Sequence, residues 1–149
     1  MRHAAVPAAI DSAQFWLAIF LAVPGALLAI GSATLFFRFG NGTGAPWDPP
    51  RKLVVRGPYR YVRNPMISGV ILILITESLF FQSWILAAWT ALFFLANSLY
   101  FPLVEELGLV SRFGRDYETY CRHVPRWIPR LTPWNPRMEP DNHDLSDGR

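Results

Sequence analysis

The sequence predicts an all-α, polytopic membrane protein with about three transmembrane helices: one long helix, then a tight helical hairpin, then a cytosolic interfacial helix toward the C-terminus. Three observations predict this. Of 149 residues, 52% are hydrophobic, 15% aromatic and only 17% charged, and a water-soluble domain this small has too little interior to hide so much apolar surface. The apolar residues gather into long runs that contain no lysine or arginine. Of 14 basic residues, six fall within 38–63 and seven within 112–149. Basic residues confined to two connecting regions fit positive-inside topology better than a nucleic-acid surface, despite the net charge of +3. The N-terminus is therefore expected outside, with loop 38–64 and the C-terminus cytosolic.

Residues 1–12 read as an N-terminal segment and 13–130 as one membrane domain. The first helix is expected over about 13–37, opening after Asp11-Ser12, a plausible cap. Its 25 residues rise roughly 37 Å, enough to cross a hydrocarbon core with tilt, and Pro24-Gly25 should bend it. The run is too long, and its leading segment too weakly basic, for a signal peptide. Residues 38–64 form a Gly- and Pro-rich connection. The hairpin helices are expected over about 66–81 and 83–101. The first of these rises only about 24 Å, so the hairpin either spans the bilayer or turns back within it. After Pro102 an interfacial segment, 103–130, is expected to break near Phe113-Gly114, resume as a short helix to Arg122, and then run extended through Val124–Arg130 because of its prolines. Trp127 and Trp134 suit the headgroup zone. Residues 131–149 read as a polar tail, disordered at its end.

The chemistry is expected where two polar clusters bracket the hairpin. Gly57-Pro-Tyr-Arg-Tyr-Val-Arg-Asn-Pro65 enters its first helix, and Glu105-Glu106 leaves its second. A hairpin brings its ends together, so these clusters should be neighbours at the cytosolic membrane face. Arginine, asparagine and tyrosine opposite two carboxylates suit a polar ligand carrying both charge signs. A helix opening at Asn64-Pro65 also favours a carboxylate.

Other polar residues have plainer readings. Arg56 and Arg60 suit anionic headgroups, and Asn97 suits interhelical hydrogen bonding. Glu77 lies near the hairpin tip, where water reaches it. Cys121 is the one cysteine, which excludes an intrachain disulfide, and reads as a small buried residue.

The ordered pattern Lys-Leu-Val (52–54), Gly-Pro-Tyr (57–59), Arg-Asn-Pro-Met (63–66) and Gly69 resembles the isoprenylcysteine carboxyl methyltransferase family and its phospholipid methyltransferase relatives. Glu105-Glu106, Phe113-Gly114, Tyr117, Tyr120, Val124-Pro-Arg126 and Pro129 continue the resemblance, which covers roughly residues 50–130. It implies a membrane methyltransferase that uses S-adenosylmethionine and acts on a lipophilic or small hydrophobic acceptor reached from the bilayer. By position, the resemblance assigns the cofactor to Lys52, Leu53, Val54, Tyr59, Arg63, Asn64, Pro65, Met66, Ile67, Glu105 and Glu106, with Tyr117 and Arg126 in support. It implies no metal and no nucleic acid.

The chain departs from the family's pattern at three points. Asn64 stands where the family usually has histidine, and Ile67 where it has tyrosine. No basic residue occupies 97–104, where members that methylate prenylated cysteine carry an arginine. Asparagine still donates and accepts hydrogen bonds but performs no acid–base chemistry. If the acceptor must lose a proton, Glu106, Tyr120 and His123 are the candidate bases. Two other readings are a scaffold that kept the fold without the chemistry and a nicotinamide-dependent membrane reductase of related architecture.

Overall fold

The computed structural model describes residues 12–40 and 51–136, and all regular structure among them is helical. The expectations for Asp11, for residues 41–50 and for 137–149 fall outside the described residues. The first helix, α1, spans Ala13–Gly40. The Ser12 side chain accepts from the Phe15 amide at 3.2 Å, the geometry of an N-terminal cap. The helix runs unbroken through Pro24 and extends beyond residue 37 to Gly40.

One face of α1 is made of small residues at alternating spacings of four and three: Ala18, Ala22, Gly25, Ala29 and Ser32. Ala18, Gly25 and Ser32 are buried. The second helix, α2, spans Pro65–Phe80 and packs on this face. A Cβ placed on Gly69 of α2 would lie 2.5 Å from the Ala29 nitrogen and 2.7 Å from the Gly25 carbonyl oxygen. The backbones therefore touch, which is how helices associate where apolar lipid supplies no hydrophobic drive. Pro65 sits in the first turn of α2, where its missing amide costs nothing.

A tight turn through Phe81–Ser83, with Gln82 at φ 48°, leads into α3, Trp84–Tyr100. Here the structure corrects the expected boundary. The chain does not leave the helix at Phe101 and Pro102. A single wide turn over Phe101–Glu105 carries it on, with the Glu106 amide donating to the Phe101 carbonyl five residues back. The next helix, α4, then covers Glu106–Phe113. Pro102 lacks an amide and its ring crowds the carbonyl four residues earlier, and a π-type turn relieves both problems without ending the helix. Trp84–Phe113 is thus one continuous 30-residue helix.

This helix and α1 are each long and apolar enough to cross a membrane. At 16 residues, α2 is shorter. Large apolar side chains stand exposed along the two long helices, among them Phe20, Leu27, Trp84 and Ile85.

At Gly114 the chain breaks with φ 53° and ψ −128°, a backbone region open essentially to glycine alone. It then forms α5, Arg115–His123. The compact core lies at this polar end of the bundle, not between the long helices. Tyr117, Tyr120 and Val124 form it, with Leu53, Leu109, Phe113 and Trp134 packed against them.

Candidate functional site at the polar end of the bundle

The site is assembled by the connection into α2 and by an extended strap after α5. A 3-10 turn over Gly57–Arg60 buries Tyr59. Gly57 stands at φ 53°, a conformation that favours glycine, and a Cβ there would press only on the end of the Leu35 side chain, 2.8 Å away. The Tyr59 hydroxyl donates to the Ser32 carbonyl of α1 at 3.4 Å. Its own carbonyl accepts from the Tyr120 hydroxyl of α5 at 2.6 Å. One residue thus ties α1 and α5 to the entrance of α2.

The strap continues the tie. The Arg63 amide donates to the Pro125 carbonyl, the Arg130 amide to Tyr61 and the Trp134 amide to Arg60, at 2.9, 3.0 and 2.9 Å. Arg60 Nε donates to the Trp134 carbonyl at 2.6 Å, so this side chain braces the strap. Arg56 lies over the Phe39 ring at 4.4 Å. Trp134 falls in the stretch expected as polar tail, yet it stacks on His123 with ring centres 5.4 Å apart.

An ion cluster centres on Glu106. Arg63 Nη1 donates to Glu106 Oε1 at 2.8 Å. Arg126 grips both carboxylate oxygens, Nε on Oε1 at 2.9 Å and Nη2 on Oε2 at 2.8 Å. The three side chains are 12%, 18% and 24% exposed for Arg63, Glu106 and Arg126. That is dry enough for a forked arginine–carboxylate pair to hold firmly. Arg63 Nη1 also points at the Cys121 sulfur, 2.8 Å away. The entrance of α2, the start of α4 and the strap therefore meet at one carboxylate.

The neighbouring acid behaves differently. Glu105 is exposed, and no hydrogen bond or ion pair holds its carboxylate among the described residues. Its negative charge reaches Tyr59, whose phenol is raised well above its ordinary value, first by burial and then by Glu105. Asn64 Nδ2 and Arg63 Nε are buried donors without a partner. Buried donors are rarely left unmatched. They stand on the segment whose Arg63 pairs with Glu106, the sequence neighbour of unpaired Glu105, and together these groups are the donor-and-acceptor set that a zwitterionic ligand would satisfy.

The remaining sequence-derived candidates are arranged around this point. Lys52 is exposed, Val54 and Pro65 are buried, and Met66 and Ile67 are half-buried in the first turn of α2. Leu53 lies against the tyrosine core. Tyr117 and Tyr120 are both buried, and burial raises both phenols above their usual range. His123 Nδ1 donates to the Thr119 carbonyl at 2.8 Å. Two contributors escaped sequence reasoning: the Ser32 carbonyl that receives Tyr59, and Cys121 facing Arg63. For Ser32 the signal was available in its place on the small-residue face.

Two helices long and apolar enough to cross a membrane, with an ion cluster at one end, point to the class, an integral membrane protein. Comparison with known proteins then makes it specific. The family model described as phospholipid methyltransferase matches residues 13–116, and the chain belongs to that family. Over 79 residues, 49% of this chain, it is 37% identical to methanethiol S-methyltransferase 2 of Bradyrhizobium diazoefficiens. The alignment spans 27% of that relative's length. No solved structure matches the chain.

Proposed function

We propose that the protein transfers a methyl group from S-adenosylmethionine to a lipophilic or small hydrophobic acceptor at the cytosolic face of its membrane. The observation that carries the reading is the unequal fate of the twin acids. Glu106 is consumed by Arg63 and Arg126, while its sequence neighbour Glu105 is unpaired among the described residues and Asn64 Nδ2, next in sequence to Arg63, is a buried donor without a partner. When bound, the donor supplies an electrophilic methyl group on a sulfonium sulfur. Glu105 faces the donor's positive charge. Asn64 Nδ2 and Arg63 Nε are the donors suited to its carboxylate, at the helix start where an anion is favoured. Glu106 holds Arg63 in place and joins the strap to it, a positioning role. Transfer of a sulfonium methyl asks mainly for alignment, and a cluster fixed at both ends supplies that.

The acceptor class is narrowed by the residues present. Stretch 97–104 has no basic side chain to receive a substrate carboxylate, whereas the relative's name points to a small thiol. A cysteine-type thiol has an ordinary pKa of about 8.5, so only a few per cent is thiolate at neutral pH; that anion, its proton already lost to water, takes the methyl group without a base at Asn64. Among the candidate bases, the Glu106 oxygens accept from Arg63 and Arg126, the Tyr120 hydroxyl donates to the Tyr59 carbonyl and His123 Nδ1 donates to the Thr119 carbonyl, so none of the three is assigned as a base.

The test is calorimetry in detergent with S-adenosylhomocysteine, followed by methyl transfer to methanethiol and to a phosphatidylethanolamine. Expected are binding by the intact protein, about tenfold loss in Glu105→Gln, and turnover of the thiol. Failure of the intact protein to bind would overturn the donor assignment. Turnover of the phospholipid alone would overturn the thiol.

A further inference from the structure

The strap Val124–Arg130 leaves the polar cluster at Arg126 and reaches Trp127, which packs on α3. The Trp127 ring lies 5.3 Å from the Phe94 ring and 6.1 Å from the Phe101 ring, centre to centre. Both partners belong to the continuous helix Trp84–Phe113, 30 residues long. A hydrocarbon core takes about 20 helical residues to cross. Every stretch of that length within this helix contains both Phe94 and Phe101, wherever the bilayer sits along it. Phe94 also stands twelve residues before Glu106, roughly 18 Å along the axis from the ion cluster. The strap therefore dips from the cluster toward the membrane interior and does not lie on its surface.

The next side chains agree. Ile128 is 79% exposed and Leu131 98% exposed, beside a tryptophan already in contact with the membrane helix. Leu95, Leu99 and Leu103 of the long helix, which Trp127 touches through Phe94 and Phe101, are exposed as well. Exposed apolar surface of this extent marks a contact site, and the medium that covers a membrane helix is lipid. Within the strap the Arg130 amide is paired at the Tyr61 carbonyl, and just beyond it the Trp134 amide is paired at Arg60. Irregular chain at membrane depth survives where protein satisfies it.

We propose that residues 126–131 form a re-entrant wedge whose Trp127, Ile128 and Leu131 contact lipid acyl chains. The wedge rests on α3 spanning the membrane and not on the choice of methyl donor or acceptor.

The experiment uses the full chain with Cys121→Ser, reconstituted in vesicles of equal parts phosphatidylcholine and phosphatidylglycerol. Spin labels are placed singly at Ile128→Cys, at Leu131→Cys and at Glu118→Cys, an exposed position of α5. A fourth label at Leu95→Cys calibrates the acyl region. Collision with oxygen and with a water-soluble nickel chelate reports depth. Expected at 128 and 131 is the oxygen-favouring ratio of position 95, at least several-fold above that of 118. A nickel-favouring ratio like that of 118 would overturn the wedge. Low accessibility to both reagents would overturn it too, since a protein partner would then cover the patch. Monodisperse elution of each labelled protein confirms folding, and the sites at 128 and 131 are exposed enough to accept a label without repacking.

Discussion

At the scale of single residues, the twin acids illustrate what adjacency on a helix means. Successive residues point about 100° apart, so Glu105 and Glu106 face different surroundings although they are chemically alike. The structure gives Glu106 two arginines and Glu105 none. Replacing Glu106 by glutamine strands both guanidinium groups in a largely dry cluster. The cost is expected at about 2 kcal/mol, the scale of a lost charge-assisted hydrogen bond, read as a lower midpoint of thermal unfolding in detergent. Glu105→Gln should leave that midpoint unchanged while weakening donor binding. Equal destabilisation by both variants would contradict the division. Tyr120→Phe offers a second separation of roles. Its hydroxyl is spent on the Tyr59 carbonyl, so stability should fall by about 1 kcal/mol while kcat stays within a few-fold. Loss of kcat with an unchanged unfolding midpoint would restore Tyr120 as a base.

At the scale of elements, the contact between α1 and α2 is set by what is missing from the side chains. Gly69→Ala adds one carbon against the Ala29 nitrogen and the Gly25 carbonyl, both backbone atoms that cannot swing aside. We expect a loss of about 1–3 kcal/mol, the usual cost of overpacking, measured by thermal unfolding. Gly31→Ala meets nothing within 4 Å and serves as the neutral control. The helices themselves were legible in the sequence because apolar runs of that length admit few alternatives. So was the meeting of Arg63 with the acids, since a hairpin must return to its start. The passage through Pro102 was not legible. A proline after an apolar run reads as a stop, and only the three-dimensional path shows a wide turn absorbing it. The fork from Arg126 onto Glu106 was legible only as a supporting role, because prolines foretell an extended strap but not where it lands.

At the scale of the whole molecule, the polar end is held together by groups that respond to alkali. Tyr59, Tyr117 and Tyr120 all keep their protons in the folded protein well above the ordinary phenol value of 10.0, with burial the largest cause in each. In the unfolded chain they ionise near that ordinary value. Between the two, the unfolded state binds fewer protons than the folded one, so stability must fall as pH rises. The unfolding midpoint is expected to be insensitive to these groups below about pH 10 and to drop progressively above it. Tyr120→Phe should shallow that drop. A midpoint that stays flat into strong alkali would show the three phenols to be more open to water than they are here.

Which side of the membrane carries this end is a separate matter, decided by charge. The described segments at the site end of the bundle carry Arg38, Arg56, Arg112 and Arg115, whereas the turn at Gln82 has no basic residue in the helices on either side of it. Basic flanks favour the cytosolic side, so the expectation is a turn facing outward and an ion cluster facing inward. With Cys121→Ser as background, Gln82→Cys in intact cells should react with a membrane-impermeant maleimide, or be shielded if the turn stays within the bilayer. Glu118→Cys should react only after permeabilisation. Labelling of position 118 in intact cells, with 82 reacting only once they are opened, would reverse the orientation. The cluster would remain intact, but its methyl donor would have to be supplied from the other side.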